Sequence, residues 1–324
     1  MTRIAAASRP HLPALRLDAW EPTKTTLHLW VQIVGKVRLA TTAPRNHWWN
    51  VPLYLDVRGL TTRRLHHAQV SFQIDFHFVD HRLIVRTNHG QQGTFRLEDG
   101  LSVAGFDRQR HQLVAQLGVD VPIREDPYGV PITTPFPNDT EHATYDPDSV
   151  RRFWQVLDWV DTVLEEFSGS YCGKQSPVHL FWHSLDLAVS RFSSRQAPPR
   201  DGTDPVTREA YSHEVISFGF WAGDDNTHGP AFYSYTAPEP SGLTNQPLQP
   251  ASAAWRRGPN GSMALLGYDQ LRDAEDPRIT LLAFLQSAYD AGAHTGGWDR
   301  EELASSFCPS GAELQEIYQR GTTP

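Results

Sequence analysis

The sequence predicts an α+β fold of two similar α-β-β-β-β-α halves with mainly antiparallel sheets. Apolar residues recur at helical spacing or in strict alternation, in the same order in both halves. A Pro-rich segment separates the halves, and an ungapped similarity between them indicates an internal duplication. The predicted organisation is an N-terminal α+β half at 1–120, a Pro-rich linker at 121–146 and a C-terminal α+β half at 147–324.

The first half starts with a predicted helix, followed by four strands and a second helix. Apolar residues three or four apart predict helices at 25–39 and 102–117, and Gly118 marks the end of the second. Alternation with short polar breaks predicts an antiparallel meander. Its strands are expected at 51–57, 70–79, 83–87 and 94–97.

The second half repeats this order. Asp146 as N-cap and Pro147 at the first helical position predict a long amphipathic helix at 146–167, with Gly169 beyond its end. Further strands and a final helix follow from the same patterns. The strands are expected at 178–192, 215–221, 232–236 and 263–268, and the helix at 277–291.

The duplication is inferred from the match of residues 47–63 with residues 179–195, in which five positions are identical. The identical pairs are His47/His179, Leu53/Leu185, Leu55/Leu187, Val57/Val189 and Arg63/Arg195. Alternating strands resemble one another by chance, which is the alternative explanation. The Gly-Lys pairs at 35–36 and 173–174 are not explained by alternation, and a duplication predicts that they lie close in space.

Composition and charge exclude several classes of protein. The 324 residues include 29 Lys and Arg against 37 Asp and Glu, so the net charge of -8 gives no general attraction to nucleic acid or anionic membranes. Apolar stretches are far shorter than the roughly 18 residues of a membrane span. The N-terminus offers no continuous apolar signal segment, and Cys172 and Cys308 form no disulfide framework. We therefore expect a soluble, cytoplasmic protein with no nucleic-acid or membrane partner.

Histidines are the first candidates for chemistry. His47 and His179 stand at the predicted starts of equivalent strands, where neutral imidazoles could act as general bases or bind a divalent metal. The alternative is a buried imidazole bonded to the backbone. His179 and His183 form an H-x-x-x-H pair, but on a strand they would be about 13 Å apart, too far for one ion. No sequence motif supports a metal.

The segment 208–214 concentrates polar and charged residues directly before an apolar strand. In an extended chain Tyr211 and His213 face one side and Glu214 the other, so a solvated strand end is the alternative to a cleft. The candidate catalytic residues are His47, His179, His213, Glu214 and Tyr211. The candidate ligand-binding residues are Lys36, Trp48, Trp49, Lys174, Phe181 and Trp182, although such lysines can snorkel and such aromatics can be core.

Four segments of the chain resemble a known family. Residues 46–62, 78–87, 173–193 and 208–215 look like an uncharacterised bacterial family known as domain of unknown function 5996. The resemblance runs from about residue 15 to residue 298. It implies no activity, substrate, cofactor or catalytic residue, so function has to be inferred from the residues themselves.

Three functions remain compatible with the sequence. The first is a small-molecule enzyme, which could be metal-assisted, with its site between the halves; it requires at least two imidazole or carboxylate groups that converge in a pocket. The second is a non-catalytic protein that holds a small ligand in the same aromatic cleft without such convergence. The third is a structural or partner-binding protein with no pocket. The sequence leaves the substrate and the oligomeric state open.

Overall fold

The structure is a computed structural model that describes residues 12–199, 202–224, 229–258 and 261–305. Within these residues the chain forms two six-stranded antiparallel sheets, each preceded and followed by a helix. The α+β class is therefore confirmed. None of the helices in this part of the chain combines the length and the apolar character that crossing a membrane requires.

The first sheet lies between two helices, α1 at Leu17–Thr41 and α2 at Val103–Gln116. Its strands are β1 (Tyr54–Asp56), β2 (Gly59–Thr61), β3 (Leu65–His67), β4 (Val70–His77), β5 (Arg82–Thr87) and β6 (Gln92–Arg96). The order across the sheet is β1-β2-β4-β5-β6, and β3 also pairs with β4. The four pairs of neighbouring strands in this order are all antiparallel, as the predicted meander requires.

The second sheet follows the long helix α3 at Pro147–Gly169. Its strands are β7 (His179–Phe181), β8 (Asp186–Gln196), β9 (His213–Trp221), β10 (Ala231–Ala237), β11 (Ala254–Gly258) and β12 (Gly261–Gly267), in the order β11-β12-β10-β9-β8-β7. Its helices are α4 (Pro205–Ala210), α5 (Tyr268–Arg272) and α6 (Pro277–Thr295). Helices α3 and α6 pack against one face of the sheet.

The two sheets meet at one edge, and their apolar cores are continuous. Leu53 and Leu180 exchange backbone hydrogen bonds of 2.9 and 2.8 Å, which joins the start of β1 to β7. One buried apolar cluster includes Trp30 of α1, Phe153 of α3 and Phe218 of β9. The division into two halves with a linker at 121–146 stays a prediction.

Most predicted elements are present, but α1 begins earlier than the sequence indicated. The apolar spacing predicted a helix at 25–39, whereas α1 begins at Leu17 and contains Pro22. Proline removes one helical hydrogen bond, a cost that burial of apolar side chains can offset. Leu17 and Trp20 are both buried on the first turn, and this burial extends the helix toward its N-terminus.

Two predicted strands are divided by turns. The expected strand at 51–57 is reduced to β1, because residues 57–58 form the turn to β2. The expected strand at 178–192 is a hairpin of β7 and β8, with Leu185 in the left-handed conformation at φ 56°. Leu185 is 2% exposed, so its burial gives the turn the apolar character of a strand.

The internal duplication is not confirmed. His47 lies in a 3-10 turn at Asn46–Trp48, whereas the aligned His179 lies in β7. The Gly-Lys pairs also occupy different elements, because Gly35 is inside α1 and Gly173 follows α3. A different close contact requires glycine at each position. A Cβ on Gly35 would lie 2.2 Å from the Trp182 ring, and a Cβ on Gly173 would lie 2.6 Å from Leu303.

Helix α3 confirms the predicted capping and core face. The Asp146 carboxylate accepts hydrogen bonds of 3.2 Å from the backbone N–H groups of Asp148 and Ser149. Val150, Phe153, Leu157, Val160 and Leu164 are all 0% exposed. We therefore expect Leu157→Ala to lower the free energy of unfolding by about 2–5 kcal/mol, the range for large buried residues.

Chemical denaturation measures this change. Gln155→Ala on the exposed face of the same helix is the matched control, and we expect it to change stability by less than about 0.5 kcal/mol. Equal effects of the two substitutions would contradict the packing of α3.

Candidate functional site

The candidate site begins with a short turn held by α4. His47 and Trp48 both have positive φ, 56° and 59°, which is uncommon for residues other than glycine. The His47 backbone N–H donates to Glu209 Oε1 at 3.1 Å, and the Trp48 indole N–H donates to the Val206 carbonyl at 3.0 Å. Helix α4 thus fixes this turn, although the two are far apart in sequence.

The His47 imidazole is bonded at both nitrogens. Nδ1 lies 3.2 Å from the Ala210 carbonyl, which can only accept a hydrogen bond, so Nδ1 carries the proton. Nε2 then accepts a hydrogen bond from Lys174 Nζ at 2.7 Å. Burial lowers the pKa of His47, and the nearby Lys174 ammonium lowers it further. His47 is therefore a neutral acceptor that positions Lys174.

His213 lies beside His47 with a free ring nitrogen. The two ring centroids are 5.4 Å apart. The Ser212 hydroxyl donates to the Glu209 carbonyl at 3.0 Å, so it accepts from His213 Nδ1 at 3.2 Å. His213 Nε2 then carries a lone pair and has no hydrogen-bond partner among the residues that the structure describes.

Aromatic rings enclose these polar groups. The Phe192 and Trp49 ring centroids lie 4.3 and 5.4 Å from that of His47. Lys174 Nζ is 5.1 Å from the Phe192 centroid and 5.7 Å from that of Trp49, within the range of cation–π attraction. We call His47, Trp49, Lys174, Phe192 and His213 the His47–Lys174 site.

Lys174 provides a positive charge in this site. It forms no ion pair with a carboxylate within the described ranges. Burial lowers its pKa, and the negative charge of Glu209 acts in the opposite direction. No hydrogen bond or ion pair joins Glu209 to Lys174 in the described part of the chain, so Lys174 remains available to an anionic ligand.

A row of tyrosines extends from the site along the sheet face opposite α3 and α6. The Tyr211 and Tyr235 hydroxyls are 3.1 Å apart, and the Tyr233 ring stacks on Tyr235 with centroids 6.1 Å apart. The Tyr233 hydroxyl donates to the Asp186 carboxylate. Burial raises the pKa of Tyr233 and Tyr235, so both stay protonated. Gly219 leaves space for the Tyr233 side chain, because a Cβ on Gly219 would lie 2.6 Å from Tyr233.

Sequence reasoning missed Tyr233, Tyr235 and Asp186. The two tyrosines are two residues apart on β10, so they face the same side of the sheet, and this spacing was the available signal. Asp186 lies on the face of β8 opposite to Arg191, and no ion pair joins the two residues.

Other predicted site residues lie elsewhere. Glu214 faces away from His213 and pairs with Arg195 at 2.7 Å. Lys36 is buried near Trp182, with its Nζ 5.9 Å from that ring, and burial lowers its pKa. Trp48 is bonded to α4, as described above. The structure thus brings together His47, His213, Lys174, Trp49 and Tyr211. The side chains of Glu214, Lys36 and Trp48 are not part of this group.

His179 lies in the core and has no ring contact with His47 or His213. It is 0% exposed, and neither ring nitrogen has a hydrogen-bond partner. Its neighbours are Tyr54 and Phe181, with ring centroids 6.3 and 4.6 Å away. Within the described residues, no group of three or more His, Cys, Asp or Glu side chains could hold a metal ion.

The chain belongs to a family whose function has not been determined. A family model described as a family of unknown function, DUF5996, matches residues 12–305, nearly the whole chain. Neither the curated proteins nor the solved structures contain a significant match to it. The chemistry of the site is therefore the basis for any functional proposal.

His179 generates a prediction about acid stability. Burial, with smaller effects of Arg38 and Arg63, lowers its pKa from 6.5 to about 3. Below pH 6.5 the unfolded chain binds a proton that the folded chain does not, so stability is lost as pH falls from 6.5 toward 3. At pH 5 the loss from this group is about 2 kcal/mol relative to pH 7.5.

Urea denaturation at several pH values measures this loss. We expect His179→Leu to remove that share of the pH dependence, whereas His89→Gln, at an exposed position, keeps it. Identical pH profiles of the His179 variant and the unsubstituted protein would contradict a buried, neutral His179.

Proposed function

We propose that this protein is an enzyme for a small molecule that carries an anionic group, with its substrate bound at the His47–Lys174 site. One observation supports this most: an ammonium group without a carboxylate partner is hydrogen-bonded to the His47 imidazole, which contacts the His213 ring, and lies within cation–π distance of two aromatic rings. Elements from both sides of the Pro-rich segment supply these groups. Such convergence of charge, base and apolar walls is typical of small-molecule sites.

Each group would have a separate role. Lys174, oriented by His47 Nε2, would hold the anionic group of the substrate. The rings of Trp49 and Phe192 would contact its apolar part. Tyr211, bonded to Tyr235, would supply a hydroxyl at the far end of the site. These roles follow from the donor and acceptor capacity of each side chain.

The proposed reaction is proton transfer with His213 as general base. Its Nε2 lone pair would accept a proton from a carbon or oxygen of the substrate, and Nδ1 would keep its hydrogen bond to Ser212. The imidazolium so formed would return this proton to the product. Lys174 would stabilise negative charge that develops on the substrate during the transfer.

Non-catalytic binding of the same ligand is the second candidate. It is favoured by the complete engagement of His47, whose two nitrogens are bonded to Ala210 and Lys174. Only one imidazole of the site is then free to transfer protons. In this case the protein would bind an anionic molecule and release it unchanged.

We also propose that the protein acts in the cytoplasm without nucleic-acid partners. Cys172 is a free, exposed thiol, which fits a reducing compartment. The net charge of -8 supports the absence of a nucleic-acid partner.

Binding is tested with Lys174. A panel of small organic acids and phosphate monoesters is screened by thermal shift, and the affinity of each ligand found is measured by calorimetry. We expect Lys174→Met to weaken binding by about 10- to 100-fold, the effect of losing a charged hydrogen bond. Lys174→Arg keeps the charge and should retain more of the affinity. Equal affinities of all three proteins would contradict the proposed site.

Catalysis is tested separately with His213. Conversion of each bound ligand is followed by mass spectrometry and by exchange of substrate protons in deuterated buffer. We expect His213→Gln to retain binding and to lower turnover by at least about 100-fold, because the general base is lost. Glu214→Gln, on the opposite face of β9, is the control. Binding without conversion by the unsubstituted protein would favour the non-catalytic candidate.

A further inference from the structure

A cavity lies on the opposite side of β8 from the His47–Lys174 site. It has a volume of about 320 Å³ and is bounded by the ends of α3 and α6, β8 and residues 303–305. This volume is at the lower end of the range for small-molecule sites. We call it the Arg191 cavity, after the buried arginine in its wall.

Arg191 is a buried cation without a carboxylate partner. It is 1% exposed, and no carboxylate of the described residues lies within ion-pair distance of its guanidinium. Aromatic rings surround it instead, with Phe167 3.6 Å and Tyr289 4.7 Å from Cζ to centroid. Burial lowers the pKa of Arg191 to about 10, so it remains charged at neutral pH.

The hydrogen bonds of Arg191 leave one nitrogen free. Nη2 donates to the Phe167 carbonyl and, at 3.0 Å, to Ser170 Oγ. Nε donates to Gln175 Oε1 at 3.3 Å. An arginine has five N–H donors, so the two on Nη1 have no acceptor among the described residues. Nη1 is not one of the fully buried polar atoms that lack a partner, so it is accessible from the cavity.

Other polar groups also line the cavity. No hydrogen bond engages the Tyr289 hydroxyl within the described ranges, so it is a second donor. Asp290 also lines the cavity, but it is already bonded to Arg300 at 3.3 Å and to Gln286 at 3.1 Å. The charge that remains without a partner in the cavity is therefore that of Arg191.

We propose that the Arg191 cavity binds a small organic carboxylate, with Arg191 Nη1 and the Tyr289 hydroxyl as hydrogen-bond donors. A carboxylate oxygen accepts strong, charge-assisted hydrogen bonds from a guanidinium. Tyr171 and Leu303 line the cavity and supply apolar surface for the carbon skeleton. This site is separate from the His47–Lys174 site, because adjacent residues of β8, Arg191 and Phe192, face opposite sides.

The test measures binding of acetate, benzoate and inorganic phosphate to the full chain at constant ionic strength. Calorimetry gives the affinity, and thermal shift supports it. We expect acetate or benzoate to bind more tightly than phosphate. Ala304→Trp, which fills the cavity from an exposed position and leaves Arg191 intact, should weaken this binding by more than about tenfold.

Three further variants make the result specific. Ala304→Ser should bind as the unsubstituted protein does, and Tyr289→Phe should weaken binding about three- to tenfold through loss of one donor. The Ala304→Trp comparison is also made in the Lys174→Met background, which removes binding at the His47–Lys174 site and so separates this proposal from the proposed function. No carboxylate binding in that background, a preference for phosphate, or equal binding with and without Ala304→Trp would overturn the proposal.

Discussion

The reciprocal backbone hydrogen bonds between Leu53 and Leu180 are the contact on which the rest of the architecture depends. Both residues are fully buried, so their polar backbone groups must be paired, and each satisfies the other. This pairing aligns the edges of the two sheets and makes Tyr54 and His179 cross-strand neighbours. It also fixes the turn that contains His47, a few residues before Leu53, relative to the second sheet. The imidazole pair of the candidate site therefore depends on a backbone contact outside the site.

Strand β8 connects the two candidate sites. Its alternating side chains point to opposite faces of the sheet. Phe192 therefore forms a wall of the His47–Lys174 site, and Arg191 faces the Arg191 cavity. The hydroxyl of Tyr171, which lines that cavity, donates to the Phe192 carbonyl at 2.6 Å. A change in the position of Tyr171 would therefore act directly on the strand that carries Phe192. The walls of the two candidate sites are therefore joined by a direct hydrogen bond.

Local patterns predicted the elements, whereas long-range contacts determined the site. The cap at Asp146 and the apolar spacing of α3 predicted that helix correctly, because both signals lie within the helix. His47 and His213 were both candidates, but the repeat favoured pairing His47 with His179. Helix α4 decides this pairing, and its six residues are too few to show a periodic pattern. Leu185 could not be recognised as a turn residue either, because its buried environment selects a leucine in a conformation that usually favours glycine.

The distribution of charge supports an anionic class of ligand. The chain carries a net charge of -8, yet three buried cations, Lys36, Arg38 and Arg191, and the half-buried Lys174 form no ion pair in the described part of the chain. Of the three buried acids among the described residues, Asp75 pairs with Arg86 and Asp139 with His142, whereas Asp186 accepts hydrogen bonds from the Ser184 and Tyr233 hydroxyls. Burial of an unpaired charge is unfavourable, and a bound anion reduces this cost. The excess of acids on the surface does not compensate these cations, since solvent and salt screen charges at a distance. An anionic ligand at Lys174 or Arg191 would therefore stabilise the folded chain, and its binding free energy would add to the free energy of unfolding.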